Sequence, residues 1–521
     1  MRQSVGQSVG QDISRGMMSR RSVLRIAGAT GIGAAVIGAG TAPAFAAPAK
    51  ASAGFVHPGM LHTQADFDRM AAKVKAGTGL WKEGYAKLAA NPRSASTWKP
   101  NPLATVIRGA DGDNVTTLAF DIAAAYQNAL RWKVTGDAAH ADAARDILDA
   151  WSAKLTKLDG SADRFIAAGI HGYQFANAAE IMRGYTGFDL AQSKKMMLNV
   201  FYPMNHSFLT NHNGAYDTNY WGSWDLLTVA SVLAIGILCD DQAKVDEAVT
   251  YFKFGKGNGS IKHAIPYILP GGLGQLVEVG RDQGHALLSV GLLGTICEMA
   301  WNQGIDLYGY DDNRVLKGVE YAAKWNLGHD VPFTSWTWNY GAPGVWSGSQ
   351  TLTTAATSGR GGVRPIWESL YNHYVKRRGL DAPYVSEMTA KVRPEGGGGD
   401  YGTGVGLDHL GFGTLAFTRA AATAAAMKAP AATASSSASS SASSSAASPS
   451  ASASASTSEI GTATESPSTT GASADGTKPQ GGTSGNLAET GAGDIAAVAA
   501  TGMLAIAGGF LALRRRRAGG L

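Results

Sequence analysis

The sequence predicts an all-α protein in which antiparallel helix pairs close into an α/α toroid. Three observations carry this expectation. Apolar residues recur at helical spacing through most of residues 47–428, runs of alternating strand residues are nearly absent, and ten or more amphipathic helices over this span exceed a four-helix bundle. A helical solenoid is the rival architecture, but no fixed-period repeat is visible.

The elements follow in order. Residues 96–114, with Lys99, Pro100, Pro102 and Arg108, read as a long polar loop. Residues 117–134 place Leu118, Ile122, Ala125 and Leu130 on one face and stop at Thr135-Gly136. Residues 138–155 repeat the pattern with Ala144, Ile147, Leu148 and Trp151, so the two predict a helical hairpin. Further helices are expected at about 163–185, 189–202, 222–239, 241–254, 282–303, 312–325, 363–376 and 404–427.

The ends of the chain carry sorting information. Ser19-Arg20-Arg21-Ser22-Val23-Leu24 precedes a mildly apolar stretch and Ala44-Phe45-Ala46, so residues 1–46 read as a twin-arginine signal peptide handled by the twin-arginine translocase. Residues 429–486 are almost wholly Ser, Ala, Thr, Gly and Pro, too poor in apolar surface to offset chain entropy, and read as a disordered spacer. In residues 487–521, Leu487-Ala488-Glu489-Thr490-Gly491 leads into an apolar run from Ile495 to Leu513 and then Arg514 to Arg517. This arrangement resembles a sortase signal, in a variant found in high-GC Gram-positive bacteria. The resemblance implies cleavage after Thr490 and attachment to peptidoglycan. The expected location is the cell wall, with a plain membrane anchor as the alternative.

Charge bears this out as a matter of bookkeeping. The whole chain is formally +5, with 45 Lys+Arg against 40 Asp+Glu, but removing residues 1–46 and 491–521 leaves 36 basic against 38 acidic groups. No nucleic-acid partner is implied. Cys239 and Cys297 lie in apolar runs and read as buried thiols. No HExxH, P-loop, dinucleotide fingerprint or metal-spaced Cys/His set appears, so the sequence requires no cofactor and no metal.

Three segments gather chemistry. Residues 205–224 read NHSFLTNHNGAYDTNYWGSW and contain His206, His212, Asn213, Asn219, Tyr220, Trp221 and Trp224. Residues 271–285 bring Glu278, Arg281, Asp282 and His285 to a helix start, with Arg281 and His285 one turn apart. Residues 334–346 contribute Trp336, Trp338, Asn339, Tyr340 and Trp346. All 12 Trp fall between Trp81 and Trp367. Their flat apolar faces and polar edges suit stacking against sugar rings.

These segments, with CEMAWNQGIDLYGYDDNRVLKGVEYAAKWNLG at 297–328, RPIWESLYNHY at 364–374 and LDHLGFGTLAF at 407–417, resemble the alginate-lyase superfamily of bacterial polysaccharide lyases. The resemblance implies an incomplete α/α toroid whose cleft binds an acidic polysaccharide and cleaves it by β-elimination. It implies a lid at 96–114, Arg108 within it, and cleft-lining roles for Tyr173 and Arg364. Asn219 is followed by Tyr220 where the better-known members have His, and no Tyr lies just beyond Arg281. The chain therefore resembles a divergent branch acting on alginate or glucuronan.

β-Elimination removes the proton on C5 beside a uronate carboxylate, so that carboxylate must be neutralised as charge develops. Asn219 and Arg281 are assigned to neutralisation, His285 or Tyr220 to proton abstraction, and His212 to a supporting role. Trp221, Trp224, Trp336 and Trp338 are the candidate sugar-stacking residues. Structural readings stand beside these: Asn219 as a helix cap, Arg281 and Asp282 as an ion pair, His285 as a core histidine. A toroid glycoside hydrolase would instead draw on Asp217, Asp225, Glu278, Asp282 or Glu298, and a catalytically dead polyuronate-binding wall protein would need none.

Overall fold

A computed structural model of the chain describes residues 54–398 and 407–420. The chain divides into 1–44, outside the described residues, and 45–521, which contains all of them. The stretches expected to be a signal peptide, a spacer and a sortase signal, residues 1–46, 429–486 and 487–521, lie outside the described residues.

The described part is the expected α/α toroid, entered by two helices the sequence reading missed. Helix α1 (Gln64–Lys75) begins at a capping box, in which Thr63 and Asp66 bond each other's backbone, and α2 (Gly79–Ala90) follows. A short strand β1 (Thr105–Arg108) leads into α3 (Val115–Thr135), which ends at Gly136 in the left-handed conformation. Helix α4 (Ala138–Lys154) starts where Asp137 caps Ala139 and returns to β2 (Lys157–Gly160), which leads into α5 (Arg164–Met182). Strands β1 and β2 pair in parallel, so α3 and α5 point the same way.

Helix α6 (Leu190–Met196) continues through a π-helical turn at Met197–Phe201 into α7 (Tyr202–Asn211). The predicted loop at 205–224 is therefore helical as far as Asn211. The central α8 (Gly222–Cys239) is buried all round and packs on α5 so closely that glycine is needed: a Cβ at Gly172 would lie 2.0 Å from Ser231 Oγ. Helix α9 (Gln242–Phe254) is capped by Asp241, and α10 (Ile261–Ala264) precedes the small hairpin of β3 (Tyr267–Leu269) and β4 (Leu273–Gln275).

Helix α11 (Gln283–Asn302) is the second buried central helix, and α12 (Tyr310–Asn326) covers it. Both α8 and α11 are long and apolar enough to cross a membrane, but 94% and 83% of their apolar windows are enclosed by protein, as in core helices. An antiparallel hairpin of β5 (Trp336–Ala342) and β6 (Trp346–Leu352) then crosses the loop before α8. Helix α13 (Trp367–Tyr371), with its π-helical continuation Asn372–Arg377, and α14 (Pro383–Val392) precede α15 (Gly413–Ala416). Arg69 donates to the Ala416 carbonyl at 2.8 Å, which ties α15 back to α1.

Two expectations are corrected. A helix over 404–427 is reduced, among the described residues, to the single turn of α15, because Gly411 and Phe412 adopt left-handed angles that no helix continues through. The loop at 96–114 is not a free lid along its length. The Asp121 carboxylate accepts from Trp98 Nε1 at 2.8 Å and the Asn101 amide at 2.7 Å, and residues 105–108 are strand β1.

Candidate active site

The site begins with helix direction. The parallel β1–β2 pair brings the starts of α3 and α5 together, and Gly169 against Leu227 with Gly172 against Ser231 sets α8 parallel to α5, so these N-terminal ends lie at one end of the toroid. Glu278, just before α11, accepts from the backbone of Ser223 in the first turn of α8, which brings the start of α11 to the same end. The partial positive charge of each N-terminus favours an anion there.

The turn before α8 supplies Asn219. Gly341 of β5 donates its N–H to Asn219 Oδ1 at 2.8 Å, and Trp338 Nε1 donates to the Asn219 carbonyl at 3.0 Å. A backbone N–H can only donate, so this contact fixes which end of the amide is oxygen and leaves the NH₂ end as the free donor. Asn219 does not cap α8. The cap position is Trp221, with no side-chain cap bond.

The turn before α11 supplies the ionisable groups. Glu278 is fully buried and accepts from Ser223 Oγ, Ser223 N and Ser289 Oγ. Arg281 extends from it, 3.4 Å from Glu278 Oε1 and 3.5 Å from Asp282 Oδ2, with its guanidinium 4.8 Å from the centre of the Trp221 ring. Burial lowers the Arg281 pKa against the pull of Glu278 and Asp282, but a guanidinium stays charged. It precedes α11 rather than sitting on it.

Asp282 is the N-cap of α11. One oxygen accepts from the His285 backbone at 2.8 Å and the other from His285 Nδ1 at 2.7 Å. Burial pushes the Asp282 carboxyl up, but the bonds from His285 and the charge of Arg281 outweigh it and hold it below the usual carboxylate range. With Nδ1 engaged by a carboxylate, the Nε2 of His285 is left as the basic nitrogen.

The structure brings Trp221, Arg281 and His285 together at these two turns, Arg281 lying over Trp221 and sharing Asp282 with His285, with Asn219 two residues before Trp221 and Trp336 5.8 Å from it. It does not bring the others there as catalytic groups. His212 is buried beneath the loop, 3.0 Å from Asp225 Oδ1 and 3.3 Å from Asp217 Oδ1. Burial pulls its pKa down, but the bond to Asp225 and the charges of Asp225 and Asp217 raise it overall, and both carboxylates hold the ring inside the protein. Tyr220 packs between Phe208 and Trp224, its hydroxyl takes a bond from Asn213, and burial pushes its phenol up, the wrong direction for a base.

Several expected sugar contacts are corrected. Tyr173 is wholly enclosed and its hydroxyl donates to the Asp408 carbonyl, while Arg364 pairs with Asp408 at 2.8 Å. Trp224 is stacked in the core on Phe208, and Trp338 is a buried strut for the Asn219 loop. Arg108 is not among these corrections: it ends β1 part-buried, just before α3, paired in register with Gly160, and its charge acts on Asp163 and Asp408.

Other residues were missed. Asp282 entered as an ion-pair partner and a hydrolase acid but not as the holder of His285, although an Asp three residues before a His at a helix start already spells a cap that can hold an imidazole. Glu278 entered only as a hydrolase acid, and no sequence signal marked Gly341 as the anchor of Asn219.

Comparisons with known proteins bear on this region. The family model described as alginate lyase matches residues 96–331. A search of curated proteins finds no match. Among solved structures, an alginate lyase A1-III from Sphingomonas species A1 is 15% identical, with a TM-score of 0.44 over 64% of this chain and 92% of that one. The apo form of alginate lyase A1-III is 15% identical, with a TM-score of 0.48 over 71% and 98%. An alginate lyase from Bacteroides ovatus is 14% identical, with a TM-score of 0.39 over 52% and 82%. The stretch that the alginate-lyase family model matches, residues 96–331, carries both the Asn219 turn and the Arg281–His285 turn.

Proposed function

We propose that the protein cleaves a uronic-acid polymer of the alginate or glucuronan type by β-elimination, with His285 as base. The observation that carries this is the Asp282-held imidazole beside Arg281 at the mouth where Asn219 offers its amide NH₂. In this reading the uronate carboxylate lies against Arg281 and Asn219. His285 Nε2 takes the C5 proton, the C5–H electron pair becomes the C4=C5 double bond, and the C4–O4 bond breaks. The imidazolium so formed returns a proton to O4, so one side chain serves both transfers. Neutralising the carboxylate makes the C5 carbanion resemble a stabilised enolate, the larger share of the barrier.

The hydrolase alternative needs two free carboxylates flanking a cleft. Asp225 is spent on His212, Tyr251 and the Gly259 amide, Glu278 on two serines, Glu298 on Arg377 and Asp282 on His285. Of the five candidates only Asp217, 45% exposed, keeps a carboxylate open to solvent, one where a hydrolase needs two, and that favours the lyase.

The same proposal places the enzyme outside the cell, exported by the twin-arginine translocase and joined by sortase to peptidoglycan, on the strength of the Arg20-Arg21 and Leu487–Gly491 signals. Incubating the full-length protein with alginate, glucuronan and hyaluronan tests the reaction. Near-ultraviolet absorbance should rise in step with new chain ends. New ends without absorbance would mean hydrolysis, and neither signal would mean a binding protein.

A further inference from the structure

A cation over the face of an indole is held without spending a hydrogen bond, because the ring offers negative potential and no acceptor atom. Arg281 is held in this way, its guanidinium carbon 4.8 Å from the centre of the Trp221 ring. We propose that Trp221 is a positioning residue, the platform on which Arg281 lies, and that it does not stack on sugar. The proposal rests on the lyase reading for what Arg281 does to the substrate, but the holding of a guanidinium ion by this ring does not.

The contacts of Arg281 divide between two that use its N–H groups and one that does not. Nη1 reaches Glu278 Oε1 at 3.4 Å and Nε lies 3.5 Å from Asp282 Oδ2, both longer than a close charge-assisted bond of roughly 2.7–2.9 Å. Asp282 Oδ2 is meanwhile committed to His285 Nδ1 at 2.7 Å. Nη2 has no hydrogen-bond partner among the described residues. The two carboxylates therefore leave N–H donors for a uronate carboxylate, and the ring fixes the guanidinium without placing a third anion beside it.

The ring is itself held from outside the site. Trp221 is 8% exposed, with Trp338 at 4.3 Å and Trp336 at 5.8 Å between ring centres. Trp338 is tied in turn by its Nε1 to the Thr218 and Asn219 carbonyls at 3.1 and 3.0 Å. Asn258 Nδ2 donates to the Thr218 and Tyr220 carbonyls at 2.9 and 2.8 Å, which fixes the backbone entering Trp221. So covered, the ring has too little open surface to stack on a sugar, the use its residue type suggests. Asn219 and Trp221 also leave the same turn, so the platform that sets Arg281 is fixed relative to the amide that would share its carboxylate.

Arg281→Ala empties the platform without removing it, and methylguanidinium ion is a probe of the right shape and charge. In the full-length Arg281→Ala protein, millimolar methylguanidinium should raise near-ultraviolet product formation from alginate or glucuronan by about tenfold or more. On binding, its methyl proton resonance should move upfield from the ring current of the indole. The shift should be absent in the wild type, where Arg281 fills the place. Trp221→Phe in the Arg281→Ala background keeps an aromatic face and should keep both signals, whereas Trp221→Leu keeps only apolar volume and should lose both. The upfield shift needs no substitution at Trp221, so it decides the matter even where a Trp221 variant unfolds. No binding to Arg281→Ala, binding without the upfield shift, or equal rescue of the Leu and Phe double variants would overturn the proposal while leaving the lyase reading intact. No near-ultraviolet product from any polymer with the wild type, with the upfield shift present in Arg281→Ala, would sink the lyase reading and keep the platform.

Discussion

Asp282 performs two tasks from one turn, capping α11 and holding the His285 ring, and the tasks can be separated. Asn caps a helix about as well as Asp, so Asp282→Asn should leave the melting temperature within about two degrees. It removes the negative partner of the imidazolium, and kcat should fall by on the order of a hundredfold, as for loss of general acid–base function. Circular-dichroism melts beside initial rates decide this, and an unchanged kcat would take His285 out of the reaction. A second residue-scale prediction concerns Glu395. Buried, and facing the Glu368 carboxylate that Arg393 already neutralises, its carboxyl is pushed well above the usual carboxylate range. A raised acid keeps its proton in the folded state after the unfolded chain has lost it. Stability from this group is therefore full below about pH 4.3 and is lost as pH rises toward the folded value. Glu395→Gln keeps the acceptor for the Trp367 and Glu368 amides. Its melting temperature should exceed that of the wild type at pH 8 and converge with it at pH 4, and parallel curves would contradict the assignment. At this scale the sequence made Asn219, Arg281 and His285 legible by residue type and by a resemblance. It did not show that Tyr173, Arg364 and His212 are spent on internal partners, because their partners lie far along the chain or are buried ion pairs.

Among the elements, long helices were legible because their apolar period is strong, and α3, α4, α8, α9 and α11 fall within two residues of expectation. Helix α2 was not, because Gly79 and Gly84 dilute its pattern, and Gly84 is there to let Leu415 of α15 approach. The β5–β6 hairpin was the costliest omission. Trp336, Trp338 and Tyr340 alternate at the strand period, yet their aromaticity drew attention to sugar stacking instead of pairing. The hairpin's part in the site predicts a specific failure. Gly341 has φ +137°, and a Cβ there would lie 2.3 Å from the Trp346 carbonyl. Gly341→Ala should shift the N–H that anchors Asn219 and lower turnover at least tenfold, while far-ultraviolet dichroism, dominated by helices remote from the hairpin, stays unchanged. Wild-type turnover in Gly341→Ala would mean that Asn219 does not need its anchor.

The whole molecule concentrates its positive charge at one end. The starts of α3, α5, α8 and α11 gather there and Arg281 adds a full charge, so an anionic polymer would be drawn to that end although residues 47–490 carry 36 basic against 38 acidic groups. That convergence follows from closing antiparallel pairs into a ring, and it was implicit in the predicted fold class once the helix order was known. The residues that meet at the mouth were not, since the Glu278–Ser223 contact joins positions 55 apart. At the same scale, the sorting signals predict that Thr490→Ala moves the protein from the wall fraction to membrane or medium on cell fractionation. Retention in the wall would refute the sortase proposal. The central claim is that Arg281 neutralises the carboxylate beside which His285 works. Arg281→Ala should keep its fold, because Glu278 retains its bonds from Ser223 and Ser289. It should lose about 3–4 kcal/mol of barrier lowering, a fall of at least a hundredfold in the rate of near-ultraviolet product formation. A folded Arg281→Ala protein that forms the unsaturated product at the wild-type rate would contradict the account.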